Sequence, residues 1–170
     1  MAAKSFLRLV AGKLKAIQAV VTSAGAGNDG DIVALDSTGR LDQSVMPVGI
    51  GADVLNAPTF ENITSGDYVN IFDDGGVIKV RKADNSNNRP AHGFVDTTVV
   101  APANINVLFE GANGNLSGLT LGARVYLGVT GGIIQTPLAP ITDATKLHQF
   151  LGVATSATSA NTDMDDCVQL

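Results

Sequence analysis

The first pattern along the chain is a partial alternation of apolar and polar residues, interrupted by a turn. Ser5-Phe6-Leu7-Arg8-Leu9-Val10 and Lys13-Leu14-Lys15-Ala16-Ile17-Gln18-Ala19-Val20-Val21 flank Ala11-Gly12. This predicts a β-hairpin over residues 5–22 that turns at Gly12. Residues 23–30 are small and polar and read as a connector. Ile32-Val33-Ala34-Leu35 predicts a short strand, and Ser37-Thr38-Gly39 a turn. Asp42 stands where it would cap a single helical turn ending at Pro47. Val48-Gly49-Ile50-Gly51 reads as a hinge. Residues 1–51 are too thin to bury their own apolar side chains and need a further surface, in the same chain or in another copy.

The remaining residues, 52–170, contain an internal repeat. Ile63-Thr64-Ser65-Gly66-Asp67-Tyr68-Val69-Asn70-Ile71, followed by Gly75-Gly76-Val77-Ile78, matches Leu119-Thr120-Leu121-Gly122-Ala123-Arg124-Val125-Tyr126-Leu127, followed by Gly131-Gly132-Ile133-Ile134. His92-Gly93-Phe94-Val95 matches Leu151-Gly152-Val153-Ala154. The copies span 63–109 and 119–170, with Ile105-Asn106-Val107-Leu108-Phe109 and Cys167-Val168-Gln169-Leu170 as closing strands. Within each copy Val69/Ile71 and Val125/Leu127 alternate with other residues, and Gly-Gly suits a tight turn. One copy has an apolar face and nothing to cover it. Two copies packed face to face, or closed into a barrel with pseudo-twofold symmetry, remove that exposure. Loops 83–91 and 137–148 are expected to be exposed.

Composition agrees with an all-β fold: a duplicated β-sandwich or barrel with an extended N-terminal arm and hairpin. Among the 170 residues, aromatics are 5% and tryptophan is absent, so Val, Ile, Leu and Ala must build the core. Nineteen glycines supply turns. The formal net charge of −5, with Lys4, Arg8, Lys13 and Lys15 gathered at the start, argues against a nucleic-acid partner. No apolar run approaches a membrane span, and residues 1–10 do not read as a signal peptide. A soluble protein made in a cytoplasm, with no membrane partner, is expected.

Gly25-Ala26-Gly27-Asn28-Asp29-Gly30 fits G-x-G-x-x-G, the spacing of a dinucleotide loop. Such a loop needs a helix directly after it, whose N-terminal amides hold the pyrophosphate. Here a turn signal follows within a few residues, and Asp29 and Asp31 would repel a diphosphate. The glycines therefore read as a connector. The single Cys167 excludes an internal disulfide and is expected to pack as a small hydrophobe. Asp163, Asp165 and Asp166 read as a solvated tail, and Asp73-Asp74 as turn formers. His92 and His148 have no carboxylate at triad or metal spacing. No catalytic residue, metal or cofactor is expected, and the chain is read as a non-enzyme.

Three stretches carry a resemblance. They are Val21-Thr22-Ser23-Ala24-Gly25-Ala26; Gly30 through Asp42, containing Leu35-Asp36-Ser37-Thr38-Gly39-Arg40-Leu41-Asp42; and Val45-Met46-Pro47 with Gly49-Ile50-Gly51. Together they resemble the N-terminal segment of small tailed-bacteriophage virion structural proteins of the capsid decoration or cement type. The Leu41-to-Pro47 element also resembles a connector of tail-fibre-like proteins. The resemblance implies a decoration protein on the capsid surface, made in the host cytoplasm, that binds the major capsid protein. It also implies a homo-oligomer of trimeric type, with a dimer left open. The arm residues expected to make contacts are Leu35, Leu41, Val45, Met46, Pro47 and Ile50. A tail-fibre, head-fibre or spike module for host attachment is the alternative. A small glycan-active enzyme is a third reading with no acid–base pair to support it.

Overall fold

The computed structural model describes residues 5–46 and 53–170. The chain divides into two compact units, Met1–Gly51 and Ala52–Leu170. Of the expected arm contacts, Pro47 and Ile50 lie outside the described residues.

In the first unit, β1 (Ser5–Val10) and β2 (Lys13–Gln18) form the antiparallel hairpin. Ala11 and Gly12 both take positive φ, 50° and 74°. Two consecutive left-handed residues give the turn whose twist matches that of the strands it joins. The strand expected at 32–35 is reduced to one parallel bridge, Val20 to Val33. Val20 N–H donates to Ile32 O (2.9 Å), and Ala34 N–H to Val20 O (2.8 Å). The helical turn is a 3-10 turn, Gln43–Val45, and the Asp42 carboxylate accepts from Ser44 N–H at 2.9 Å.

The second unit is all-β. Its first sheet contains β3 (Val54–Pro58), β4 (Tyr68–Asp73), β5 (Ile78–Lys82), β6 (Gly93–Phe94) and β7 (Asn104–Leu108), in the order β3-β7-β6-β4-β5. The next strands are β8 (Gly111–Asn113), β9 (Arg124–Leu127), β10 (Ile133–Ile134), β11 (Leu147–His148), β12 (Phe150–Ala154), β13 (Ala160–Thr162) and β14 (Val168–Gln169). The second sheet runs β8-β13-β12-β9-β10, and β11 pairs with β14 alone. With β11 and β14 set aside, the two sheets have one topology: first strand, hairpin, then two strands inserted between them. The turns entering the hairpins repeat as well. Gly66 N–H donates to Val95 O (2.8 Å), and Gly122 N–H to Ala154 O (2.9 Å).

Two glycines show why the repeat needs these residues. At Gly93 a Cβ would lie 2.5 Å from Val107 Cγ1 and 2.6 Å from Leu108 O. At Gly152, where φ is +150°, it would run into Asn161 O. Gly93 pairs with Val69, and Gly152 with Val125, so the closing strand crowds the same position in each copy.

The copies differ from the expectation in two ways. The repeat of β7 is β13, not residues 167–170, whose strand β14 pairs with β11 instead. The sheets also stack without bringing equivalent faces together. Val69, Val80, Val95, Ile105 and Val107 fill the inside of the first sheet, which curls until Phe60 N–H reaches Val80 O at 2.8 Å. Val125 and Leu127, the repeats of Val69 and Ile71, pack instead with Tyr68, Ala83 and Phe94. The inner face of the second sheet thus covers the reverse face of the first. Tyr68 is fully buried, whereas its repeat Arg124 is exposed.

Buried polar groups bind the stack. Tyr68 Oη and Thr162 Oγ1 are 3.0 Å apart, and Asn113 Nδ2 donates to Gly66 O at 2.9 Å. The Gln149 amide pairs with both backbone groups of Ala91, accepting at 2.8 Å and donating at 2.9 Å. Asn85 Nδ2 donates to Leu127 O at 2.8 Å. Loop 83–91 is therefore not simply an exposed loop: Ala83, Asp84, Asn85 and Ala91 are buried, and only 86–88 are exposed.

Candidate functional site

Strand alternation sends Leu7, Leu9, Leu14 and Ala16 to one face of the hairpin. Leu9 pairs with Leu14, and Leu7 with Ala16. The three leucines are 71%, 66% and 70% exposed. The other face carries Arg8 opposite Lys15 and Val10 opposite Lys13, with Phe6 and Ile17 half-buried. Large apolar side chains clustered at this exposure make the face a candidate interaction surface. Sequence reading found the hairpin but not this face. The signal was available in the Leu7/Leu9 and Leu14/Ala16 pairs, which share a side only once the register is known.

The connector continues the apolar exposure. Leu35, Leu41 and Met46 are exposed and Val45 is half-buried. Ile32 and Val33 are exposed too and were not singled out from sequence. Asp36 holds the backbone around them: its carboxylate accepts from Thr38 N–H (2.8 Å), Thr38 Oγ1 (2.7 Å) and Arg40 N–H (3.0 Å). The Arg40 and Thr38 hydrogen bonds keep its pKa below the usual carboxylate value. Ser44 Oγ accepts from Ser23 N–H at 2.8 Å, tying the ends of the connector together.

The glycine motif is part of this scaffold. Gly25–Asn28 forms a short 3-10 turn, and Gly25 and Gly30 have φ of 77° and 78°. Asn28 Oδ1 accepts from Ala24 N–H at 2.6 Å, and its amide donates to Asp31 at 3.0 Å. No helix follows to present amides to a phosphate, and side chains of the loop itself occupy its polar groups.

The second unit contains an open groove of about 580 Å³, lined in part by Ile71, His92, Phe109, Met164, Asp165 and Cys167. His92 Nδ1 accepts from Ile71 N–H at 3.0 Å, and burial holds the imidazole below the usual histidine range. This is a neutral, structural histidine. His148 lies against the Tyr126 ring, 4.9 Å between centroids. Cys167 is exposed, contrary to the expected packing: it lies just before β14, a two-residue strand that pairs only with β11. The carboxylates of Asp163, Asp165 and Asp166 are exposed. Asp73 accepts from Gly76 N–H at 2.7 Å, closing the β4–β5 turn. Among the described residues no three His, Cys, Asp or Glu side chains could hold a metal ion, and no helix is long and apolar enough to cross a membrane.

A second cluster is aromatic and cationic. Phe60 and Phe72 meet edge to face, 5.5 Å apart. The Arg81 guanidinium lies 4.1 Å from the Phe72 ring centre, and Lys79 lies 5.9 Å from that of Phe60 while pairing with Asp74 at 2.6 Å. Lys79 and Arg81 each lie against a ring of this cluster, while Phe60 stays 56% exposed.

No protein-family model and no curated protein matches the sequence. One solved structure is similar, the head fiber gp8.5 N base in bacteriophage phi29. The match has 13% identity and a TM-score of 0.46, and it covers 67% of this chain and 90% of that one. At that identity and TM-score the likeness carries no argument about function.

Proposed function

We propose that the chain is a structural protein of a tailed-bacteriophage virion. In this reading it is a capsid decoration protein that stabilises the head by binding the major capsid protein. The duplicated body has its own core. The front unit carries the apolar contacts and joins the chain to its neighbours, as a homo-oligomer of trimeric type. The observation behind this is the cluster of exposed leucines on the hairpin, in the same unit whose sequence resembles phage virion connectors. Burying a leucine side chain stabilises by about 1.5–3 kcal/mol, so such a face gains most when another chain covers it. The Asp42-capped turn, in the element that also resembles tail-fibre connectors, favours a head-fibre or tail-fibre module as the second reading.

The test is co-sedimentation of the purified chain with heads assembled from the cognate major capsid protein. Saturable binding that is lost on deleting residues 1–51 is the expected result. No binding to heads, together with binding to host cells or saccharide, would replace this reading with the fibre module.

A further inference from the structure

We infer that the apolar face of the β1–β2 hairpin is the seam between copies of this chain: Leu7, Leu9, Leu14 and Ala16 of one copy pack on the same residues of another. This deepens the proposed function, on which it rests for the existence of an assembly, by assigning the self-contact to the hairpin and leaving the connector residues to other partners.

The charge layout selects the occupant. The hairpin contains no acidic residue, and its three cations, Arg8, Lys13 and Lys15, all lie on one face. The opposite face holds only Leu7, Leu9, Leu14 and Ala16, with uncharged Ser5 and Gln18 at its open end. That face can meet its own copy without bringing like charges together, whereas the cationic face cannot. Arg8 already faces Lys15 across the strands, so pairing two such faces would compound a repulsion. A surface of the acidic second unit, which holds twelve of the sixteen acidic residues, would instead select the cationic face and leave the leucines in water.

Hairpin energetics point the same way. A lone two-stranded ribbon is marginal in water. With its leucines about two-thirds exposed, this one gains little from its own unit. Four small-to-medium side chains fall short of the roughly 800 Å² per partner of a standard interface. A seam of that size is a small interface, so the oligomer it forms should depend on protein concentration.

The test uses the full chain. Sedimentation should show an oligomer for the unaltered protein. Leu9→Lys with Leu14→Lys should shift it to monomer while the melting of the second unit is unchanged, and Lys13→Gln with Lys15→Gln should leave the oligomer intact. As a check that does not depend on hairpin stability, Leu14→Cys in a Cys167→Ser background should form inter-chain disulfides on oxidation, and Lys13→Cys should not. A monomeric unaltered chain, an oligomer indifferent to the two lysines, or equal cross-linking from both faces would overturn the inference. Head binding by a chain that stays monomeric would overturn it and leave the decoration reading standing. An oligomer that ignores heads would do the reverse.

Discussion

The two units handle apolar residues in opposite ways. Residues 5–46 contain nine of the nineteen exposed large hydrophobics, although they are about a quarter of the described chain. Their only buried core residue is Ala34. Residues 53–170 bury Ile63, Tyr68, Val69, Val80, Val95, Ile105, Val107, Val125, Leu127 and Leu151 nearly completely. They also pair buried polar groups across the stack, as in the Tyr68–Thr162 and Gln149–Ala91 bonds, with Asn85 Oδ1 and His148 Nδ1 left unpartnered. A unit that closes its own core is built to stand alone. The hairpin leucines of the first unit are instead about two-thirds exposed, as the proposed assembly requires.

This contrast predicts very different sensitivities. The largest effect belongs to Gly152→Ala. Its Cβ would run into Asn161 O at a positive φ, so a loss on the order of 3 kcal/mol or more is expected in chemical denaturation. Gly39→Ala makes the comparison sharper. Gly39 also has a positive φ, 79°, but open space around it, so the melting of the second unit should not change. Equal losses at both glycines would break the distinction between the units.

Next is Tyr68→Phe. It removes one buried hydrogen bond and leaves Thr162 Oγ1 without that partner, costing about 1 kcal/mol in the same assay. No measurable change would mean that the seam between the two sheets does not depend on its polar contacts.

A smaller effect comes from pH. Burial lowers the folded pKa of His92, so below the unfolded value of about 6.5 the unfolded chain binds the proton more readily. Stability should be full above that value and fall as pH drops through the window down to the folded pKa. His92→Asn keeps an acceptor for Ile71 N–H and removes the titration, so it should flatten this part of the pH profile. An unchanged slope would assign the titration to another group. The smallest effect is that of Leu41→Ser, an exposed connector position, which should leave the melting of the second unit where it was.

The repeat was legible because its glycines meet the same backbone demands in both copies: Gly66 and Gly122 take positive φ, 93° and 76°, and Gly93 and Gly152 are crowded by the closing strand. The hairpin was legible for a similar local reason, the Ala11-Gly12 turn between alternating arms. Strands β3, β8 and β13 were not. Gly111-Ala112-Asn113 and Ala160-Asn161-Thr162 have few β-branched or aromatic residues, and Pro58 ends β3, so their strand conformation comes from pairing with neighbours distant in sequence. The polar look of loop 83–91 suggested exposure because nothing local reveals that Asn85 donates to Leu127. For the contact surface, Leu35, Leu41, Val45 and Met46 stood out as apolar residues in a thin segment. The hairpin leucines did not, since alternation alone does not say which face lacks a cover.

On the proposed function, residues 5–46 gain their cover from other chains, whereas residues 53–170 close their own core. Amide hydrogen exchange of the full chain, measured at dilution and again in the assembled state, tests it most directly. The account predicts slow exchange of the second-unit strands in both conditions. It predicts fast exchange of the β1–β2 amides at dilution and slow exchange on assembly. Strong protection of the hairpin amides at every dilution, equal to that of β4 and β9, would contradict it.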